Sequence, residues 1–147
     1  MTTIRSARPS DYDRIAAVAD QWWGRPILDL LPRLFLDHFH RTSLVAERDG
    51  DLVGFLVGFL SPSLPDEAYI HFVGVSPTHR QGGLGRQLYE RFFELAAADG
   101  RTLVSAVTSP VNVGSMAFHR RIGFAVSDPV TDYNGPGHHL VTFERPL

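Results

Sequence analysis

The chain of 147 residues contains no cysteine. That excludes disulfides, cysteine-based metal sites and a cysteine acyl-enzyme. It has no excess of positive charge: 14 Lys and Arg stand against 16 Asp and Glu, for a formal net charge of −2. With a pI of about 6.4 there is no general pull toward nucleic acid or an anionic membrane, and no helix-turn-helix pattern adds one. Neither partner is expected. No apolar run approaches the roughly 20 residues of a membrane-spanning helix. The opening Met1–Pro9 has no signal-peptide core, so the expected location is cytoplasmic. Domain-scale repeats and low-complexity segments are missing too.

What remains is ordinary globular material. Hydrophobic residues make up 44% of the chain, enough for a sizeable core. The length suits one domain, residues 1–147. A strand is expected over Thr3–Ala7, then a helix capped by Ser10 or Asp11 and running to about Trp23. Gly24-Arg25-Pro26 breaks it. A second helix is expected over Leu28–Phe39. Ser43–Glu47, Leu52–Leu60 and Ala68–Val75 read as strands, the first two joined by a tight Asp49-Gly50 hairpin. Leu84, Leu88, Phe92, Leu95 and Ala96 stripe a helix that Gly100 ends. Leu103–Thr108 is a strand, Val113–Arg121 a short helix, and Phe124–Val126 and Leu140–Glu144 close the chain as strands. Consecutive strands favour antiparallel pairing, and the β-α-β steps supply a parallel pair. The fold class is α/β (α+β), a mixed sheet of about seven strands flanked by about four helices.

Chemistry concentrates after the third strand of that central run. Val73-Gly-Val-Ser-Pro-Thr-His-Arg80-Gln-Gly-Gly83-Leu-Gly85-Arg-Gln-Leu88 carries a strand through a Pro turn into a Gly-rich loop and a helix. Uncovered N–H groups at such a helix start, with the positive end of its dipole, suit a phosphate. Arg80 and Arg86 add charge beside it. Read alone, the loop is either that or a tight strand-to-helix turn. It is neither a Walker loop, since no Lys-Ser/Thr follows, nor G-x-G-x-x-G. A second motif, Asn112-Val-Gly-Ser115-Met-Ala-Phe118-His119-Arg-Arg-Ile-Gly123-Phe124, follows the next strand.

The two motifs together resemble the GCN5-related N-acetyltransferase (GNAT) superfamily. The opening Arg8-Pro-Ser-Asp-Tyr-Asp13 and the Asp49-Gly50 hairpin extend the likeness over nearly the whole chain. The resemblance implies that acetyl-CoA is the co-substrate and that the sheet splays where it binds. Val73 and Val75 would offer main-chain hydrogen bonds to the pantetheine arm. The loop Arg80, Gln81, Gly82, Gly83, Leu84, Gly85 and Arg86 would hold the pyrophosphate, chiefly through the amides of Gln81, Gly83, Gly85 and Arg86. Asn112 and Ser115 would line the other side of the cofactor. Asn112 is also, apart from any resemblance, a good helix N-cap.

Amide formation needs a base for the amine and benefits from a proton donor at the departing thiolate. Family members often carry a Tyr where this chain has His119, so His119 is the candidate donor, or a histidine that only packs. Alternate residues of a strand share a face, so Glu67, Tyr69, His71, Val73 and Val75 point the same way. The base candidates rank His71, then water relayed to Glu67, then Tyr133; the bland reading of His71 is a satisfied sheet histidine. The acceptor pocket is expected to draw on Trp22, Trp23, Arg25 and Tyr69. Adjacent aromatics on a helix are not expected to face one core together, which frees one of the tryptophans for the pocket or an interface. The pairs His38/His40 and His138/His139 lack accompanying carboxylate patterns, and no metal is expected. The resulting expectation is an acetyl-CoA-dependent N-acetyltransferase acting by direct attack of a primary amine, with a small-molecule acceptor favoured by compact length and near-neutral charge. The alternatives are a protein lysine or N-terminal amine acceptor, and a catalytically quiet acyl-CoA-binding regulatory module. A homodimer fits the family.

Overall fold

The computed structural model describes residues 1–147. Its elements are β1 (Thr2–Ser6), α1 (Asp11–Trp23), α2 (Leu34–Phe39), β2 (Leu44–Arg48), β3 (Asp51–Leu60), β4 (Glu67–Val75), α3 (Leu84–Ala98), β5 (Leu103–Thr108), α4 (Val113–Arg121), β6 (Ala125–Val126) and β7 (Val141–Pro146). The sheet order is β1-β2-β3-β4-β5-β7-β6. This is the mixed, mostly antiparallel sheet expected, and the element order matches. No helix is long and apolar enough to cross a membrane. The chain forms two compact units, Met1–Phe59 with Ile70–Leu95, and Leu60–Tyr69 with Ala96–Leu147.

In the first unit, β1 pairs antiparallel with β2, and β2 with β3. Asp49 (φ 53°) and Gly50 (φ 83°) are both left-handed, the geometry that lets a two-residue turn match the strand twist. The β2–β3 register steps between Ala46 and Glu47, whose partners are Gly54 and Leu52. Val53 is thereby skipped. Its carbonyl accepts the N–H of Ser76 at 2.9 Å, which ties the hairpin to the residue that follows β4.

Two expectations about the helices need correction. Ser10 holds the N-cap position of α1 as expected, but its side chain makes no cap bond. Asp11, the first helical residue, instead accepts from the Arg8 N–H at 2.7 Å and from both Arg5 Nη atoms at 2.9 Å. The helix expected over Leu28–Phe39 is interrupted: a 3₁₀ turn covers Leu28–Leu30, and α2 begins only at Leu34. Pro32 explains the break, because the residue before a proline is driven out of the helical region, and Leu31 sits at φ −132°, ψ 66°.

The core of this unit gathers Ile15, Trp22, Leu31, Leu36, Val45, Phe55 and Val57, with Trp23, Phe35 and Phe72 packed against it. Phe55 is its centre. Trp22 stacks on it with centroids 6.1 Å apart, and Trp23 approaches at 6.3 Å while also meeting Phe72 at 4.8 Å. Both tryptophans therefore reach one core, against the expectation. They are the last two residues of α1, and rings this long at a helix end can straddle a third. Two strand glycines permit the close packing. A Cβ at Gly74 would lie 2.6 Å from the Phe55 ring and 2.8 Å from Trp23. One at Gly54 would meet Leu84 and Leu88 of α3 at 3.1 and 3.3 Å.

In the second unit, β4 and β5 pair parallel over Glu67–Tyr69 and Leu103–Ser105, β5 pairs antiparallel with β7 along its whole length, and β6 adds to β7. Arg101 holds the turn before β4, its Nη1 donating to the carbonyls of Ser61, Leu64 and Glu67.

The Gly74 contact generates a test. Gly74→Ala should overpack the Phe55–Trp23 contact and cost about 1–3 kcal/mol. Thermal melts should then show a drop of several degrees, and an unchanged midpoint would mean that β4 does not approach Phe55 this closely.

Candidate active site

Burial along β4 alternates as the shared-face reading requires: Ala68, Ile70 and Gly74 are buried, while Glu67, Tyr69, His71, Val73 and Val75 are half-buried. Phe72 breaks the alternation because it packs against Trp23 without being fully covered.

His71 belongs to the first unit. Its Nε2 lies 2.7 Å from the Leu30 carbonyl oxygen. A carbonyl only accepts, so the proton is on Nε2 and, in the neutral ring, the lone pair is on Nδ1. The ring stacks on Phe35 with centroids 4.0 Å apart and planes 7° from parallel. Burial lowers its pKa below the ordinary histidine value, with the Leu30 hydrogen bond acting in the opposite sense. The ring is therefore a neutral base near pH 7, with its orientation already set.

The Gly-rich loop also lies in the first unit. Pro77–Gly82 forms a 3₁₀ turn ending at Gly83, whose φ of 75° is left-handed. The Gly83 carbonyl accepts the Gln87 N–H at 3.0 Å, so Gly83 caps α3. The amides of Leu84, Gly85 and Arg86 then fall in the first turn, where a helix supplies no acceptor. Nothing lies within 4 Å of a Cβ built on Gly82 or Gly83, so this backbone is open to a ligand. Open, glycine-exposed amides at the positive end of a 15-residue helix fit a diphosphate.

The arginines beside the loop also have partners within the protein. Arg80 donates from Nη2 to the Trp22 carbonyl at 2.7 Å and from Nε to the Val75 carbonyl at 3.3 Å. Its charge sits on the C-terminal turn of α1, where a cation is favourable. It thus braces the loop against α1. Arg86 is exposed and pairs with Glu90 one turn on, at 3.1 Å. Gln81 is exposed and, with Thr2, Arg48, His79 and Gln87, lines an open cavity of about 230 Å³ on the hairpin side of the loop. Trp22 is only 9% exposed, and Arg25 is exposed beyond the end of α1.

The second unit carries the other candidates. Asn112 caps α4, accepting the Ser115 N–H at 3.3 Å, and donates to Thr108 Oγ1. His119 is 5% exposed. Its Nδ1 lies 2.7 Å from the Ser115 carbonyl, which places the proton there, and the Ser115 hydroxyl is 3.3 Å away. The ring stacks on Phe143 at 3.9 Å and meets Phe124 edge-on at 5.0 Å. Burial lowers its pKa, opposed by the Ser115 hydrogen bond. Glu67 accepts from the Ser105 hydroxyl at 3.2 Å. Burial raises the pKa of the Tyr69 hydroxyl, and the neighbouring Tyr133 adds to this. Tyr133 is 52% exposed.

Several residues that shape the site were not singled out from the sequence. Leu30 and Phe35 orient His71, but they lie about 40 positions away and nothing local marks them. Gly54 and Gly74 did carry a signal, because glycine inside a strand pattern points to a close backbone approach. No group of three or more His, Asp or Glu side chains is placed to hold a metal ion.

Residues 8–124 match the model of the acetyltransferase (GNAT) family. An L-2,4-diaminobutyric acid acetyltransferase from Nocardia farcinica is 39% identical over 84 residues, 57% of this chain and 44% of that protein. One from Shouchella clausii is 30% identical over 89 residues, 60% of this chain and 50% of that one. The chain thus matches about half the length of these curated relatives. Among solved structures, a GNAT-family acetyltransferase from Desulfovibrio desulfuricans has the same fold, with TM-score 0.86 at 18% identity over 99% of both chains. So does a diaminobutyrate acetyltransferase from Paenibacillus lautus, solved with L-2,4-diaminobutyric acid and coenzyme A (TM-score 0.72, 21% identity, 97% of this chain and 94% of that one). With the strand, glycine loop and capped helices in the expected order and the family match spanning most of the sequence, this chain belongs to the GNAT family of acetyltransferases.

Proposed function

We propose that this protein transfers the acetyl group of acetyl-CoA to a primary amine of a small diamino acid, of which L-2,4-diaminobutyric acid is the prime candidate. The observation that carries the acceptor is the 39% identity to a diaminobutyric acid acetyltransferase. The geometry that carries the donor is the open helix start at Gly83–Arg86.

The amides of Gln81, Gly83, Gly85 and Arg86 hold the pyrophosphate, and Arg80 keeps the loop in place through the Trp22 and Val75 carbonyls. Val73 and Val75 offer the β4 main chain to the pantetheine arm. Neutral His71 takes the proton from the acceptor ammonium at Nδ1. The free amine attacks the thioester carbonyl, a C–N bond forms, the C–S bond breaks, coenzyme A leaves as thiolate, and the nitrogen sheds its second proton to solvent to give the neutral amide. A thiol pKa of about 8.5 lets that thiolate take its proton from solvent. His119 is read as a packing residue. With Nδ1–H committed to Ser115, donation from Nε2 would need an imidazolium, which burial disfavours.

Incubation with acetyl-CoA and a panel of amines should release thiol fastest with L-2,4-diaminobutyric acid. Tight coenzyme A binding with no transfer to any amine or peptide would instead assign a regulatory module, and transfer only to peptides would assign a protein acceptor. His71→Ala should lower kcat/KM on the order of 10²-fold. In the wild type, activity should be lost only as pH falls below about 6.5, because the base must be unprotonated and its pKa is shifted down.

His119→Phe should keep turnover within a few-fold; a loss of 10²-fold or more would make His119 the proton donor. It should also flatten the dependence of stability on pH. A histidine whose folded pKa is lowered binds its proton more readily when unfolded, so its contribution is complete above about 6.5 and is lost as pH falls below that value. Thermal midpoints from pH 7.5 to 5.5 should therefore fall less steeply in the variant.

A further inference from the structure

His71 is a useful base only if its lone pair is on the right nitrogen, and in this chain that choice is made by a main-chain carbonyl. Leu30 supplies it from the segment between α1 and α2, and Leu30 itself is 59% exposed. The carbonyl is not held by the packing of its own residue. Its neighbours are held instead. Asp20, on the last turn of α1, accepts the N–H groups of Ile27 at 2.8 Å and Leu28 at 3.0 Å through one oxygen, Oδ1. Tyr12, two turns earlier on the same helix, donates its hydroxyl to the Leu31 carbonyl at 2.8 Å. The 3₁₀ turn between these clamps closes with Leu30 N–H on Ile27 O and Leu31 N–H on Leu28 O, both at 2.9 Å. Ile27 and Leu31 are buried on either side. Pro32 stops the helix here, so the Leu30 carbonyl is not taken up by a continuing helix.

We propose that Asp20 and Tyr12 are positioning residues for His71: by clamping residues 27–31 at both ends they present the Leu30 carbonyl to Nε2 and fix the ring as the Nε2–H tautomer. Phe35 holds the ring plane by stacking, and the clamp decides which nitrogen is basic. The inference rests on the reading of His71 as the base, but its direct observable does not.

The imidazole nitrogens of ¹⁵N-labelled protein, recorded by long-range ¹H–¹⁵N correlation at pH 7.5, report the tautomer. In the wild type the His71 pattern should be that of Nε2–H. In Asp20→Ala, and separately in Tyr12→Phe, it should move toward an average of the two tautomers. Asp20→Asn keeps an oxygen acceptor at Oδ1 and should restore the wild-type pattern. kcat for acetyl transfer should fall on the order of 10-fold in the first two, within what a general base contributes, with little change in the KM for acetyl-CoA. An Nδ1–H pattern in the wild type, or an unchanged Nε2–H pattern in folded Asp20→Ala and Tyr12→Phe, would overturn the proposal. If Asp20→Ala does not fold, as its backbone amide spectrum would reveal, Tyr12→Phe decides alone. A shifted pattern with full activity would leave the clamp standing and overturn the base reading instead.

Discussion

The first unit is organised by one crowded contact, where the Phe55 ring meets Trp22, Trp23 and the bare backbone of Gly74. Any side chain at residue 74 would hold β4 away from that ring. Because none is there, the end of α1, the middle of β3 and the last turn of β4 share one small volume. Two candidate functions grow out of this proximity. The Trp22 carbonyl comes within 2.7 Å of Arg80, which bends the glycine loop back against α1. The segment leaving α1 comes within reach of His71. An aromatic core contact thus sets the place of both the glycine loop and His71.

The electrostatics follow the same economy. Arg80 stands beside a loop suited to phosphate, and its guanidinium also donates to two main-chain carbonyls that fix its place. What the loop presents to an anion is peptide N–H, held by a left-handed glycine and a helix dipole. Such donors carry no side-chain entropy and need no titration. His71 and His119 behave alike, each with one nitrogen bound to a backbone carbonyl and each with its pKa lowered by burial. They differ in surroundings. His71 is half-buried on a strand, whereas His119 stacks on Phe143 and meets Phe124 edge-on. That difference is why the proposed base is His71 and why His119 is read as packing.

Much of this was legible in the chain. Element order, the Asp49-Gly50 hairpin, the helix stripe from Leu84 to Ala96 and the cap at Asn112 are local signals, each set by residues within a few positions of one another. The alternation that puts His71 on the face of Val73 and Val75 is equally local, and β4 follows it. Errors arose where one local rule hid another. Periodicity from Leu28 to Phe39 read as a helix and outweighed Pro32. Helical spacing argued that adjacent tryptophans cannot share a core, but it assumed a helix that continues.

The sequence by itself determined the family, the strand–loop–helix unit that suits a diphosphate, and the list of titratable residues from which a base must come. Those follow from backbone preferences and periodicity, which act over one or two turns of chain. Tertiary structure decided which of those residues can act. It gave Arg80 to the end of α1, put the proton of His71 on Nε2 and buried His119 in an aromatic stack. A tautomer, a pKa and the partner of an arginine all depend on groups brought near by folding, 41 positions away for His71 and Leu30 and 58 for Arg80 and Trp22. No local pattern encodes such distances.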